Sequence, residues 1–129
     1  ARRRAAARSI AQTIACEGQP FSNLRVRQYL KDEAGFSVEA AAQWANHWTG
    51  GAVRTVARFV EAHNDAYCVG NSPSIADICL IPQLYSCKRF GIDLTSCDTL
   101  LRIEERCLAL PAFQRAHPEN QPDADRRNL

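Results

Sequence analysis

Helical periodicity organises this chain. In residues 3–17 the apolar positions Ala7, Ile10 and Ile14 recur every three or four residues among alanines and arginines, the spacing of one buried helical face. Gly18-Gln19-Pro20 follows and is predicted to separate or kink two helices, because proline lacks the N–H a helix needs. A second helix is predicted over 22–33, with Leu24, Val26, Tyr29 and Leu30 as its apolar set and Gly35 as its stop. Ser37 then opens a long segment in which Val38, Ala41, Trp44, Trp48, Ala52, Val56, Val60 and His63 keep the same period. Gly50-Gly51 weakens it midway, by about 1 kcal/mol per glycine relative to alanine, and Asn64-Asp65 ends it. Further helices are predicted at Ser74–Phe90, Leu100–Leu108 and Pro111–His117, the last with proline in its first turn. The end of the chain, HPENQPDADRRNL, is polar and is predicted to be irregular. No period-two pattern or internal repeat competes, so the expected fold class is all-α, a bundle of five to seven helices.

The segment SPSIADICLIPQLY (72–85) carries a carboxylate at the head of an apolar run. Ser74-x-x-Asp77 has the form of a capping box: the serine oxygen accepts from N–H groups of the first turn, and the aspartate reaches back to the serine N–H. A structural role for Asp77 therefore outweighs a catalytic one. The residues that follow are apolar almost all round, which predicts a central, surrounded helix. Pro82 removes the bond to the carbonyl of Ile78 and is expected to kink it.

Composition narrows the picture. With 129 residues, 46% hydrophobic and 23% charged, one globular domain is expected. No apolar run approaches the roughly 20 residues of a membrane span, and the basic N-terminus leads into no signal-peptide core. Net charge is +2, yet residues 1–31 hold seven basic residues against Glu17 alone, leaving the rest at −4. The Arg2–Arg4 cluster reads as a solvated helix face, and with no aromatic residues interleaved, neither a nucleic-acid nor a membrane partner is expected. Cys16, Cys68, Cys79, Cys87, Cys97 and Cys107 form no C-x-x-C pair, and most fall on apolar positions. Free thiols in a reducing cytosol are expected. His47, His63 and His117 are scattered, so no metal site is expected.

Four stretches carry a resemblance: GQPFSNLRVRQYL (18–30), YCVGNSPSIADICLIPQLYSCKRFGIDLTSCDTLLRI (67–103), ALPAFQ (109–114) and HPENQPDA (117–124). Together they make the chain similar to the C-terminal helical domain of zeta-class glutathione S-transferases, the maleylacetoacetate and maleylpyruvate isomerases. The resemblance implies a helical domain over 1–117 and a polar tail over 118–129. It also implies a missing N-terminal thioredoxin-like domain with a Ser-Ser-Cys motif, which agrees with the absence of methionine in a fragment. Ser86-Cys87 and Ser96-Cys97 lie in the wrong context to replace that motif, so no catalytic residue is expected here.

The implied activity is glutathione-dependent cis–trans isomerisation of a small diketo acid in aromatic amino-acid or aromatic-acid catabolism. Gln19, Asn23, Leu24 and Arg25 match positions that line glutathione in the family, and Arg25 and Arg89 match positions that hold substrate carboxylates. Arginine suits that task because its guanidinium fork binds a carboxylate bidentately. Implied partners are glutathione, the substrate, a thioredoxin-like domain of the same or a partner chain, and a second copy in a homodimer. Two alternatives stay open: a related transferase with another small-acid reaction such as dehalogenation, and a non-catalytic interaction module. Ser86-Cys87 stands where the family often has Asn-Ala, and Ala52–Ala57 replaces a usual Gly-Phe-x-Ala-Leu-Glu run.

Overall fold

The structure is a computed structural model that describes residues 1–124. It begins with α1 (Arg2–Gln12), passes into a π-helical stretch (Thr13–Gly18) and continues as α2 (Gln19–Ser22). Backbone angles stay helical through Gly18, and the chain first turns extended at Asn23, where ψ is 160°. The predicted break at Gly18-Gln19-Pro20 is therefore misplaced by a few residues. The wider π turn explains why: the Gln19 N–H donates to the Ile14 carbonyl, five residues back, in the turn that leads into Pro20. The same widening keeps Ile10, Ile14, Gly18 and Ser22 buried on one side at four-residue spacing. An α-helix at 3.6 residues per turn would rotate such a series by about 40° per step.

Asn23 caps α3 (Leu24–Asp32), its Oδ1 accepting from the Val26 N–H at 3.1 Å. Gly35, at φ +69°, reverses the chain so that the Phe36 N–H reaches the Leu30 carbonyl at 2.8 Å. The long predicted segment is continuous: α4 (Val38–Ala45), a π stretch (Asn46–Gly50) and α5 (Gly51–Glu61) form one rod, with Ser37 as N-cap. Gly50 has a packing reason to lack a side chain. A Cβ there would stand 2.8 Å from Nη1 of Arg54, whose Nη2 donates to the Asn46 carbonyl at 3.1 Å.

The remaining elements are α6 (Ile75–Arg89), α7 (Asp98–Leu108), α8 (Pro111–Ala116) and a short 3₁₀ turn at Pro118–Asn120. Helix α6 packs most extensively on α1 and also on α7, and α5 closes the bundle against α7 and the first π stretch. Ile14, Val53, Val56, Val60, Leu80, Leu84, Leu100 and Ile103 fill the core. Cys68, Cys87, Cys97 and Cys107 are buried among them as free thiols.

Two expectations need correction. Helix α6 is not surrounded on all sides: Ile75 is 53% and Ile78 62% exposed, and Pro82 lies on the exposed side too. The carbonyl orphaned by Pro82 thus belongs to an exposed residue, where solvent can satisfy it. The C-terminal segment is also more ordered than its composition predicts. Nε2 of Gln121 donates to the carbonyls of Arg115 and His117, and Nδ2 of Asn120 donates to that of Gln114. Residues 125–129 of the predicted tail lie outside the described residues.

Candidate functional site

Two surfaces gather the residues singled out from the sequence. The first is the corner between α2 and α3. An aromatic cluster sets its position: Phe21 stacks on Trp48 with centroids 4.8 Å apart and meets Trp44 edge-on at 6.4 Å, and Phe36 closes on Trp44 at 6.2 Å. The indole N–H of Trp44 donates to the Phe21 carbonyl at 2.9 Å, and the buried Thr49 hydroxyl donates to the Gly18 carbonyl at 2.9 Å. These two bonds tie the end of the first rod to the middle of the third. Gln19, Asn23, Leu24 and Arg25 stand exposed on this corner, Leu24 at 69%. Asn23 is partly engaged, since Nδ2 donates to the Pro20 carbonyl while Oδ1 caps α3. An amide has two donors and two lone pairs, so one of each is left for a ligand.

The second surface is a cleft of about 730 Å³ at the C-terminal end of α6, lined by Tyr85, Lys88, Arg89, Glu104, His117 and Asp123 among others. It shares Tyr85, Glu104, Leu108 and His117 with an apolar groove of about 330 Å³ that runs along α6 and α8 past Ile78, Pro82 and Phe113. Glu104 is nearly buried and forms an ion pair with Lys88, whose side chain is half exposed. That pair is the only one among the described residues, so Arg89 has no acidic partner in them although Glu119 and Asp123 share its cleft. Phe90, just past the end of α6, meets α3. The Arg27 guanidinium, from α3, sits 3.8 Å from the ring centroid and that of Arg89 5.9 Å.

Ser74 and Asp77 form their capping box away from both surfaces. Asp77 is fully buried; its Oδ2 accepts from the Ser74 N–H at 2.8 Å and its Oδ1 from the Cys68 N–H at 2.9 Å. The aspartate thus also anchors the loop before α6, which nothing local in the sequence reveals.

No family model matches the chain. Relatives do. A probable maleylacetoacetate isomerase of Vibrio cholerae is 40% identical over 91% of this chain and 54% of its own length. The holo structure of a maleylpyruvate isomerase, described as a bacterial glutathione S-transferase in the zeta class, superposes with a TM-score of 0.90. It shares 30% identity, and the match covers 95% of this chain and 58% of that one. Over this domain, the chain is similar to zeta-class glutathione S-transferases. A maleylacetoacetate isomerase from Methylobacterium extorquens AM1, with bound malonate and glutathione, superposes at 0.88 with 36% identity. That match covers 96% of this chain and 59% of the other. The chain therefore spans just over half the length of the relatives it matches.

The two predicted ligand sets stand on different surfaces of the domain. Gln19, Asn23, Leu24 and Arg25 are neighbours, but none lines the cleft that holds Arg89. On α3 it is Arg27, not Arg25, that touches Phe90 beside Arg89. Two residues along an α-helix turn the side chain by about 200°, so the two arginines serve opposite sides of α3. In the sequence Arg27 stands out only as one of the seven basic residues of 1–31. Glu104 falls in the periodic set Leu101, Glu104, Leu108 of its helix, but sequence alone names no partner for it; the fold supplies Lys88.

Among the described residues no cluster of three His, Cys, Asp or Glu could hold a metal, and no helix is long and apolar enough to cross a membrane. The buried thiols are unsuited to nucleophilic work. Burial pushes Cys68, Cys87 and Cys97 upward, and burial with the nearby Asp77 and Glu104 carboxylates raises Cys107 to about 12.

Proposed function

We propose that this chain supplies the helical domain of a glutathione-dependent cis–trans isomerase acting on maleylacetoacetate or maleylpyruvate. The observation that carries this reading is the likeness, over 91% of the chain, to a relative named for that reaction. Glutathione, when bound, supplies the thiolate that adds to the conjugated cis double bond, allows rotation and is then expelled. The residues of the α2–α3 corner fit part of that ligand. Gln19 and Asn23 offer amide donors and acceptors to its peptide and carboxylate groups, Leu24 an apolar contact, and Arg25 a positive charge. Arg25 and Arg89 hold substrate carboxylates. The thiol-activating group lies in a thioredoxin-like domain, and the working unit is a cytosolic homodimer in which that domain packs on the helical one. The free cysteines suit a reducing compartment.

The test is to assay the full-length protein with glutathione and each of the two acids. Turnover of one is expected, with none from residues 1–129 alone. Failure to isomerise either acid would overturn the proposal.

A further inference from the structure

We infer that Thr49 is a positioning residue for glutathione: its hydroxyl holds the Gly18 carbonyl and so fixes where the α2–α3 corner presents Gln19 and Asn23. This rests on the reading above that the corner lines glutathione, and deepens it. The first rod stops at Ser22, and a helix end leaves its last carbonyls without partners inside the helix. Three carbonyls at this end are taken by side chains. Nδ2 of Asn23 donates to that of Pro20 at 3.1 Å, Nε1 of Trp44 to that of Phe21 at 2.9 Å, and Oγ1 of Thr49 to that of Gly18 at 2.9 Å. Asn23 belongs to the corner and moves with it. Thr49 and Trp44 come from the third rod, 31 and 23 residues along the chain from their acceptors, and so set the corner against the body of the domain.

Two π stretches make this contact possible. Thr13–Gly18 ends on the residue that is held, Asn46–Gly50 contains the residue that holds it, and the two pack on each other. Trp44 and Thr49 are five residues apart. On an α-helix that spacing would turn them about 140° from each other; π bonds, which close five residues back, bring such positions toward one side. Gly18 is buried, and a Cβ there would meet Ala52 at 3.5 Å and Gln83 at 3.6 Å, so its carbonyl has a defined place between α5 and α6. Thr49 is fully buried, where a hydroxyl needs its acceptor. With one donor on Pro20 and one lone pair on the Val26 N–H, the Asn23 amide keeps its remaining donor and lone pair in a fixed direction. Groups already ordered lose less freedom when a ligand arrives. Without the Thr49 bond, glutathione itself would have to order the corner, which lowers its affinity. No step of the isomerisation passes through Thr49, so turnover at saturating glutathione should be kept. Thr49 also separates the bond from packing, whereas changing Trp44 disturbs its contacts with Phe21, Phe36 and Trp48.

The experiment compares full-length wild type with Thr49→Val, which keeps the shape but not the donor, and Thr49→Ser, which keeps the donor. Glutathione affinity is measured by calorimetry, and KM for glutathione and kcat with whichever acid turns over. Thr49→Val is expected to weaken glutathione binding about three- to tenfold, the range of one hydrogen bond. Its kcat at saturating glutathione should stay within about twofold, and Thr49→Ser should bind within about twofold of wild type. Where Thr49→Val does not fold, Thr49→Cys, a much weaker donor, replaces it with the same expected loss. Unchanged affinity in the donor-less variant, or an equal loss in Thr49→Ser, overturns the inference and leaves the bond a brace for folding only. Gln19→Ala and Arg25→Ala test the underlying reading. If they weaken glutathione binding while Thr49→Val does not, the inference alone fails. If none of the three does, or wild type binds no glutathione, the reading of the corner and the inference fall together. Calorimetry needs no turnover, so failure to isomerise either acid leaves this test in force.

Discussion

Removing the Asp77 carboxylate should be among the most damaging single changes in this domain. In Asp77→Ala three donors lose their acceptor: the Cys68 N–H at 2.9 Å, the Ser74 N–H at 2.8 Å and the Ser74 hydroxyl at 3.0 Å. The Cys68 amide is buried, and a buried N–H left unpaired costs about 1–3 kcal/mol. Losing the capping box adds about 1 kcal/mol, and the small cavity left by the carboxylate adds to this. The expected loss is therefore about 3–5 kcal/mol, a large part of the roughly 5–15 kcal/mol that holds a domain together. In urea unfolding followed by ellipticity, with a slope of about 2 kcal/mol per molar, the midpoint should fall by about 2 M. Asp77→Asn keeps one oxygen for Cys68 but turns an NH₂ toward the Ser74 amide, so it should lose about half as much and remain measurable if the alanine variant does not fold. Hydrogen exchange gives a local check: the Cys68 amide should be protected in wild type, exchange much faster in Asp77→Ala, and fall between the two in Asp77→Asn. A loss below about 1 kcal/mol in Asp77→Ala, or unchanged protection at Cys68 in that variant, would refute the reasoning.

Other outcomes can be read with the same tools. Trp44→Phe removes the donor to the Phe21 carbonyl but keeps a ring against Phe21 and Phe36; it should cost about 1–2 kcal/mol and weaken glutathione binding through the displaced α2–α3 corner. The Lys88–Glu104 pair should respond unequally. Lys88→Ala strands a buried carboxylate and should cost about 2–4 kcal/mol, whereas Glu104→Gln frees a lysine that is already half in water and should cost less than about 1 kcal/mol, by urea unfolding of each. A disulfide reagent at neutral pH should modify Cys16 at once and reach Cys68, Cys87, Cys97 and Cys107 only as fast as the domain opens. Because the folded state raises those four thiols, the stability they contribute is complete below the unfolded value near 8.5. It is then lost as pH rises toward their folded values, about 12 for Cys107, so unfolding midpoints should fall steadily above about pH 9.

Local chemistry made much of this domain legible from its sequence. Apolar residues three and four apart identify the rods, Ser37 and Ser74 with Asp77 carry start signals, and Gly35 supplies a left-handed stop, because each of these effects acts within one or two turns. The same stretches named the family. What periodicity could not decide was the phase of each rod. A π turn at Thr13–Gly18 rotates everything after it, carries the helix past Pro20 and shifts its end to Asn23. The end of α2 is then fixed by Trp44, 23 residues from Phe21, and α3 meets Phe90, far along the chain. Arg25 and Arg27 are near-equivalent as letters; only the packing of α3 against the end of α6 puts one in open solvent and the other, with a blocked N–H, beside Arg89. Caps and periods are written in neighbouring residues, whereas the direction of a charged side chain is set by which distant ring or acid the finished fold brings to it.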